Sequence, residues 1–251
     1  MIDFANALKT WRKARRLSQL ELAVEANVSA RHIAFLETAR ARPSASMIAR
    51  LSDVLQMPLT ARNQMLTLAG FAARYPKRQW DGAEMAPVKA AVTYMLDAHK
   101  PYPALAVDRD WKLIAMNSVA AALFGPIGMV PGASLLDIMQ SDLMPQMIEN
   151  WPEFAHYGAL RLRTESAAQG GVQKLEDVAE KLSAVGALKP KQAGPVVPII
   201  FRFGLKKLSL FAVLAQFGTP EDEILDDLKI ELYFPYDGET EHVLRELAVS
   251  L

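Results

Sequence analysis

The chain contains no cysteine. No disulfide framework and no thiolate metal site can therefore form. Histidine is nearly as scarce. His32, His99, His156 and His242 are the only four, and no two stand at metal-ligand spacing, so no metal is expected. No apolar run is long enough to span a bilayer. The opening residues Met1 to Asn6 carry neither a basic n-region nor an apolar h-region, so they do not read as a secretory signal. These absences predict a cytoplasmic protein without membrane association. Enzyme signatures are missing too. There is no Gly-x-Ser-x-Gly elbow, no phosphate-cradling glycine loop and no His/Asp/Ser constellation, which predicts neither catalysis nor a cofactor. Internal repeats and low-complexity tracts are also absent.

What is present begins with charge. The formal net charge is zero, but it is unevenly distributed. Residues 1–80 hold 13 Lys/Arg and 5 Asp/Glu, a balance of +8. The remaining residues hold 15 basic and 23 acidic, a balance of −8. One end is suited to meet a polyanion and the other is not.

Residues 3–72 read as a run of short helices. Phe4, Leu8 and Trp11 recur at helical spacing. Ser18-Gln19-Leu20-Glu21 is a capping box, in which the serine oxygen takes the N3 amide and the glutamate reaches back to the cap amide. Ser29 caps a third helix with Ile33 and Leu36 on its apolar face. Pro43-Ser44 opens a fourth, carrying Ile48, Leu51 and Leu55, and Thr60 is positioned to cap a fifth. Residues 73–86, with Pro76 and Gly82, read as a connecting segment. Pro87 suits the first turn of a helix reaching about Ala98.

Beyond Pro103 the period changes. Ala104–Val107 and Lys112–Met116 flank Asp108-Arg109-Asp110 as a hairpin, and a helix from Ser118 to Phe124 follows. Residues 134–188 read as helical with a loop near Gly170-Gly171. Val196–Phe203, Lys207–Phe217 and Leu228–Phe234 read as strands, and a last helix spans about Glu239 to Val249. The acidic cluster Glu221-Asp222-Glu223 with Asp226-Asp227 reads as a solvated loop.

The first segment resembles the Xre/Cro/phage-repressor helix-turn-helix family. The resemblance rests on Leu8, Trp11-Arg12, Leu17 through Ala23, Val28-Ser29, Ile33, Leu36-Glu37, Arg42-Pro43-Ser44, Leu51 and Leu55. It implies that the helix opening at Ser29 enters the major groove of a double-stranded DNA operator. Ala30, Arg31 and Phe35 then take base-facing positions, and Arg31 is suited to guanine O6 and N7. Gln19, Ser29, Thr38, Arg40 and Arg42 take phosphate contacts that fix register. Arg12 and Glu37 stand where the family pairs an arginine with a glutamate to hold the recognition helix. Asn27 replaces the family's frequent turn glycine. Thr38-Ala39 replaces Asn-Gly or Arg-Gly, which predicts a less sharp turn after the recognition helix.

Residues 104–125 resemble the opening of a PAS domain. The arrangement as a whole is similar to the MmyB-like transcription regulators, whose C-terminal domain is a PAS-like ligand-binding module. The fold expected is α plus α/β: a five-helix domain over residues 1–72, a linker over 73–86, and a five-stranded antiparallel sheet with covering helices over 87–251. The resemblance implies a pocket for a fatty-acid-like apolar guest. Candidates to line it are Leu105, Ile114, Met116, Met139, Met144, Met147, Trp151, Phe201, Phe211 and Leu232, with His156 and Arg202 as carboxylate anchors. A homodimer is expected, since helix-turn-helix units bind paired half-sites. The alternative is a second domain that serves only dimerisation or protein docking.

Overall fold

A computed structural model describes residues 3–185 and 195–251. They divide into two compact units. One comprises Met1–Lys77, Arg163–Glu176 and Thr219–Asp226, and the other Arg78–Leu162, Asp177–Gly218 and Asp227–Leu251. The fold combines a helical N-terminal region with a five-stranded antiparallel sheet and its helices, as the sequence led us to expect.

The first unit is built on α1 (Phe4–Ala14), α2 (Gln19–Glu25), α3 (Ala30–Glu37), α4 (Ala45–Val54) and α5 (Leu59–Leu68). Local chemistry sets most of their starts. Asp3, Ser18, Ser29 and Ser44 each accept an amide of the following first turn, and the Ser18–Glu21 capping box is complete. Helix α5 is the exception. It follows Pro58 rather than Thr60 and has no side-chain cap of its own. Its orphan Leu59 amide instead donates to Asp226 Oδ2 at 2.7 Å, from far along the chain. Leu8, Leu22, Ile33, Leu36, Leu51 and Leu55 close the core. Each such leucine contributes roughly 1.5–3 kcal/mol by leaving water.

The acidic stretch read as a solvated loop is partly buried. Asp222 and Glu223 are both inside. The Glu223 carboxylate accepts from Asn63 Nδ2, and its amide donates to the Pro76 carbonyl. A carboxylate survives burial when hydrogen bonds replace its water. Asn63 also accepts the Arg74 and Tyr75 amides, so residues 74–75 are pinned to α5. The stretch read as a connecting segment is thus divided between the units after Lys77.

The second unit opens with α6 (Ala86–Ala98), then β1 (Ala104–Val107), β2 (Leu113–Met116) and α7 (Ser118–Phe124). The stretch 134–188, read as helical, resolves into α8 (Leu135–Met139), α9 (Met144–Met147), α10 (Trp151–Ala168) and α11 (Gln173–Ser183). Residues 186–188 of that reading lie outside the described residues. β3 (Ile199–Phe203), β4 (Lys206–Ala215), α12 (Glu223–Asp227), β5 (Lys229–Pro235) and α13 (Gly238–Val249) complete the chain.

The strand order is β2-β1-β5-β4-β3, with every neighbouring pair antiparallel. Register assigns the faces, because directly paired residues point the same way. Ala104 pairs with Leu232 and Ala106 with Ile230, and this face packs on Val92 and Leu96 of α6. Leu105 pairs with Glu231 and Ala212 with Tyr233, so these four share the opposite face. The outer edge of β3 is covered: the Glu149 backbone amide donates to the Ile200 carbonyl at 2.8 Å, and Asn150 Oδ1 accepts the Ile200 amide at 2.9 Å. Among the described residues no helix is long and apolar enough to cross a membrane.

Candidate nucleic-acid interface and apolar cavity

Helices α2 and α3 pack together, and α3 is held by one buried ion pair. Arg12 Nε donates to Glu37 Oε1 at 2.6 Å and Arg12 Nη2 to Oε2 at 2.8 Å, while Arg12 Nη1 takes the Leu17 carbonyl at 2.8 Å. The side chains are 10% and 2% exposed. Gln19 Nε2 adds a bond to Glu37 Oε2 at 2.8 Å. Burial alone would raise the Glu37 pKa. The hydrogen bonds from Arg12 and Gln19, with the charges of Arg12 and Lys9, outweigh it and hold the carboxyl below its ordinary value.

On this scaffold α3 presents an exposed Arg31 whose guanidinium lies 5.1 Å from the Phe35 ring centre, one turn along. This cation–π contact gives the arginine a preferred direction. Phe35 is half-buried, and Ala30 packs partly on the core. Ser29 Oγ accepts the His32 amide at 3.1 Å, and Thr38 Oγ1 donates to the Ala34 carbonyl at 2.7 Å. Thr38, Arg40 and Arg42 are exposed beyond the end of α3.

The turn there is not relaxed by the lack of glycine. Ala39 adopts φ 56°, and the Arg40 amide reaches back to the Phe35 carbonyl at 2.8 Å. The turn is as tight as a glycine would make it, because the bonds that close the helix over-determine it. Asn27 likewise sits at φ 50°, a conformation asparagine tolerates.

The second unit contains a cavity of about 250 Å³ between the sheet face bearing Glu231 and Tyr233 and helices α7, α8, α9 and α10. Its wall is largely apolar, with Phe124, Met139, Met144, Phe154 and Phe201 among the lining residues. A small polar group interrupts it. Arg161 Nη2 donates to Glu231 Oε1 at 2.5 Å, and the Tyr233 hydroxyl donates to Glu231 Oε2 at 2.8 Å. The Arg161 guanidinium lies 4.5 Å from the Trp111 ring centre. Glu231 is 3% exposed. Burial, then the neighbouring Glu231 charge and hydrogen bond, push the Tyr233 hydroxyl well above its ordinary pKa, against the pull of Arg161. It therefore remains a donor at any physiological pH.

Of the residues predicted to line a pocket, Met139, Met144 and Phe201 do so. The others lie elsewhere for identifiable reasons. Phe211 and Leu232 are one residue out of phase with Ala212 and Tyr233, so Phe211 stacks on Phe234 and Leu232 joins Ile114 on the α6 side. Leu105 faces the same side as Glu231 but is fully buried beneath its neighbours, and Met116 pairs with it. Met147 is half-buried at the end of α9, and Trp151 stacks on Phe154. The proposed carboxylate anchors are elsewhere too. His156 meets Tyr157 edge-on, and Arg202 donates to the Gln146 carbonyl at 2.8 Å.

Sequence reasoning missed Trp111, Arg161, Glu231 and Tyr233. One signal was available: Lys229–Pro235 alternates, with Ile230, Leu232 and Phe234 on one face and Lys229, Glu231 and Tyr233 on the other, so the glutamate and the tyrosine share the face opposite the aliphatic one. Among the described residues no group of three or more His, Cys, Asp or Glu could hold a metal.

Two protein-family models match the chain. A helix-turn-helix family model matches residues 8–61. The model described as the MmyB-like transcription regulator ligand binding domain matches residues 88–247. No curated protein matches the chain.

Proposed function

This chain belongs to the MmyB-like transcription regulators, and from that premise we propose that α3 reads a double-stranded DNA operator while the second unit senses a fatty-acid-like apolar molecule. The observation that carries the sensing half is the 250 Å³ cavity, whose wall is largely apolar and carries one compact ion-paired polar group. Ligand sites have this composition. An apolar cavity of about 150 Å³ already accepts a benzene-sized guest, so this one has room for a short acyl chain.

In the DNA-binding half, residues 1–72 supply the contacts. Arg31 reads a base edge, with Ala30 and Phe35 beside it. Gln19, Ser29, Thr38, Arg40 and Arg42 meet phosphates. The protein acts as a homodimer, because one short recognition helix offers few base contacts and paired half-sites multiply them.

Sensing requires that the ligand favour one arrangement of the chain over another. Helix α10 is a route for that bias. It gives Phe154, Tyr157 and Arg161 to the cavity. From Arg163 onward it belongs to the first unit, where Arg15 Nη1 donates to the Ala167 carbonyl at 2.7 Å and Nη2 to the Ala168 carbonyl at 3.1 Å.

Native mass spectrometry of the purified full chain tests the reading. A dimer retaining a small apolar molecule supports it. A bare dimer, neither stabilised by nor binding any acyl compound after delipidation, leaves dimerisation or docking as the role of the second domain.

A further inference from the structure

We propose that the cavity selects a ligand whose polar end is uncharged, such as an acyl amide, alcohol or ester, and discriminates against the free carboxylate. The proposal rests on the reading of the cavity as a ligand site and narrows the class of molecule that enters it.

Among the described residues, the charged ones lining the cavity are Arg161 and Glu231, and they are bonded to each other at 2.5 Å. The second carboxylate oxygen of Glu231 is taken by the Tyr233 hydroxyl at 2.8 Å. Both oxygens are thus satisfied, and the pair is electrically neutral. Lys229, whose ammonium lies 5.9 Å from the Trp111 ring centre, is not a lining residue. Phe124, Phe154 and Phe201 supply surroundings that solvate a charge poorly.

A carboxylate entering this space brings a second negative charge close to Glu231. Among the described residues the lining cation, Arg161, is already matched by Glu231, so the new charge meets no unmatched lining cation there, and burying a charge without a partner is among the most unfavourable events in a protein interior. A neutral amide, hydroxyl or ester shares hydrogen bonds with the Arg161–Glu231–Tyr233 group and adds no charge. Glu231 already occupies the place beside Arg161 that a ligand carboxylate would take. His156 and Arg202 offer no alternative, since neither lines the cavity.

The experiment uses delipidated full-length protein and two probes of equal chain length, decanamide and decanoate, titrated by calorimetry at neutral pH. We expect decanamide to bind more tightly by about tenfold or more. Glu231→Gln removes the negative charge and leaves Arg161 positive, so decanoate should gain affinity and equal or overtake decanamide. A variant that has merely lost structure would lose both probes, and the wild-type comparison decides the matter without it. If decanoate binds the wild type as tightly as decanamide, the selectivity proposal falls and the cavity remains a ligand site. The proposal also falls if folded Glu231→Gln keeps the wild-type preference. If neither probe binds the wild type, both the proposal and the ligand-site reading fall.

Discussion

Arg12 and Glu37 meet through two near-parallel hydrogen bonds, Nε to Oε1 at 2.6 Å and Nη2 to Oε2 at 2.8 Å, joining the first helix to the end of the third. Breaking one side strands a buried charge. Arg12→Ala or Glu37→Ala should therefore destabilise the protein by about 3–5 kcal/mol, whereas replacing both with apolar residues of similar volume should be nearly neutral. Urea unfolding of the three variants measures this. Additive losses in the double variant would contradict it.

The same pair gives a pH dependence with a definite sign. The Glu37 pKa is lower in the folded protein than in the unfolded chain. Its contribution to stability is therefore fully present above the ordinary carboxylate range and is lost as the pH falls through the depressed folded value. The stability advantage of wild type over Glu37→Gln should be constant near neutrality and shrink in acid. An advantage that grows on acidification would show that the sign is wrong.

Ala39 holds a left-handed backbone at φ 56°. An L-residue there loses roughly 1–2 kcal/mol relative to glycine. Glycine returns about 0.4–1 kcal/mol of that through the greater freedom of the unfolded chain. Ala39→Gly should accordingly stabilise the protein by about 0.5–1 kcal/mol, seen as a higher urea midpoint with unchanged slope. A lower midpoint would mean that the alanine methyl makes a contact worth more than the strain.

Gly170 and Gly171 separate space from strain. Both have positive φ, 85° and 96°. A Cβ on Gly170 would lie 2.5 Å from the Trp11 ring, whereas one on Gly171 meets nothing within 4 Å. Gly171→Ala should cost about 1 kcal/mol from backbone strain. Gly170→Ala should cost about 1–3 kcal/mol more, because the Trp11 indole must move. Equal effects would show that residues 163–176 do not pack on α1 as described.

At the DNA surface, Arg40→Ala should weaken binding to all sequences alike and reduce the salt slope by about 1. Arg31→Ala should cost about 1–3 kcal/mol on the best site and relax preference at one base pair. Anisotropy titrations across salt on selected and scrambled duplexes distinguish them. A flat salt dependence would remove the phosphate-contact assignment.

How much was legible follows from the range of the interactions. The starts of α2 and α3 were readable because a serine and the three residues after it settle them. The start of α5 was not, because its acceptor, Asp226, is remote in sequence. The strands were visible in composition and spacing, whereas their joining into one five-stranded antiparallel sheet came from the resemblance to PAS domains. The cavity was visible only in part, through Met139, Met144 and Phe201, because the face a strand residue occupies depends on its register with distant strands. A shift of one residue exchanges Phe211 for Ala212 and Leu232 for Tyr233. Glu231 was hidden for the same reason. Nothing near it in the chain shows that Arg161 reaches it.

The account turns on whether filling the cavity changes DNA binding. The direct measurement selects an operator from random DNA with delipidated full-length protein, then titrates that duplex and a scrambled one with and without saturating decanamide. The account predicts a shift in operator affinity of about 5- to 150-fold, with the scrambled duplex far less affected. An operator affinity that is unchanged when calorimetry shows the cavity occupied would contradict it.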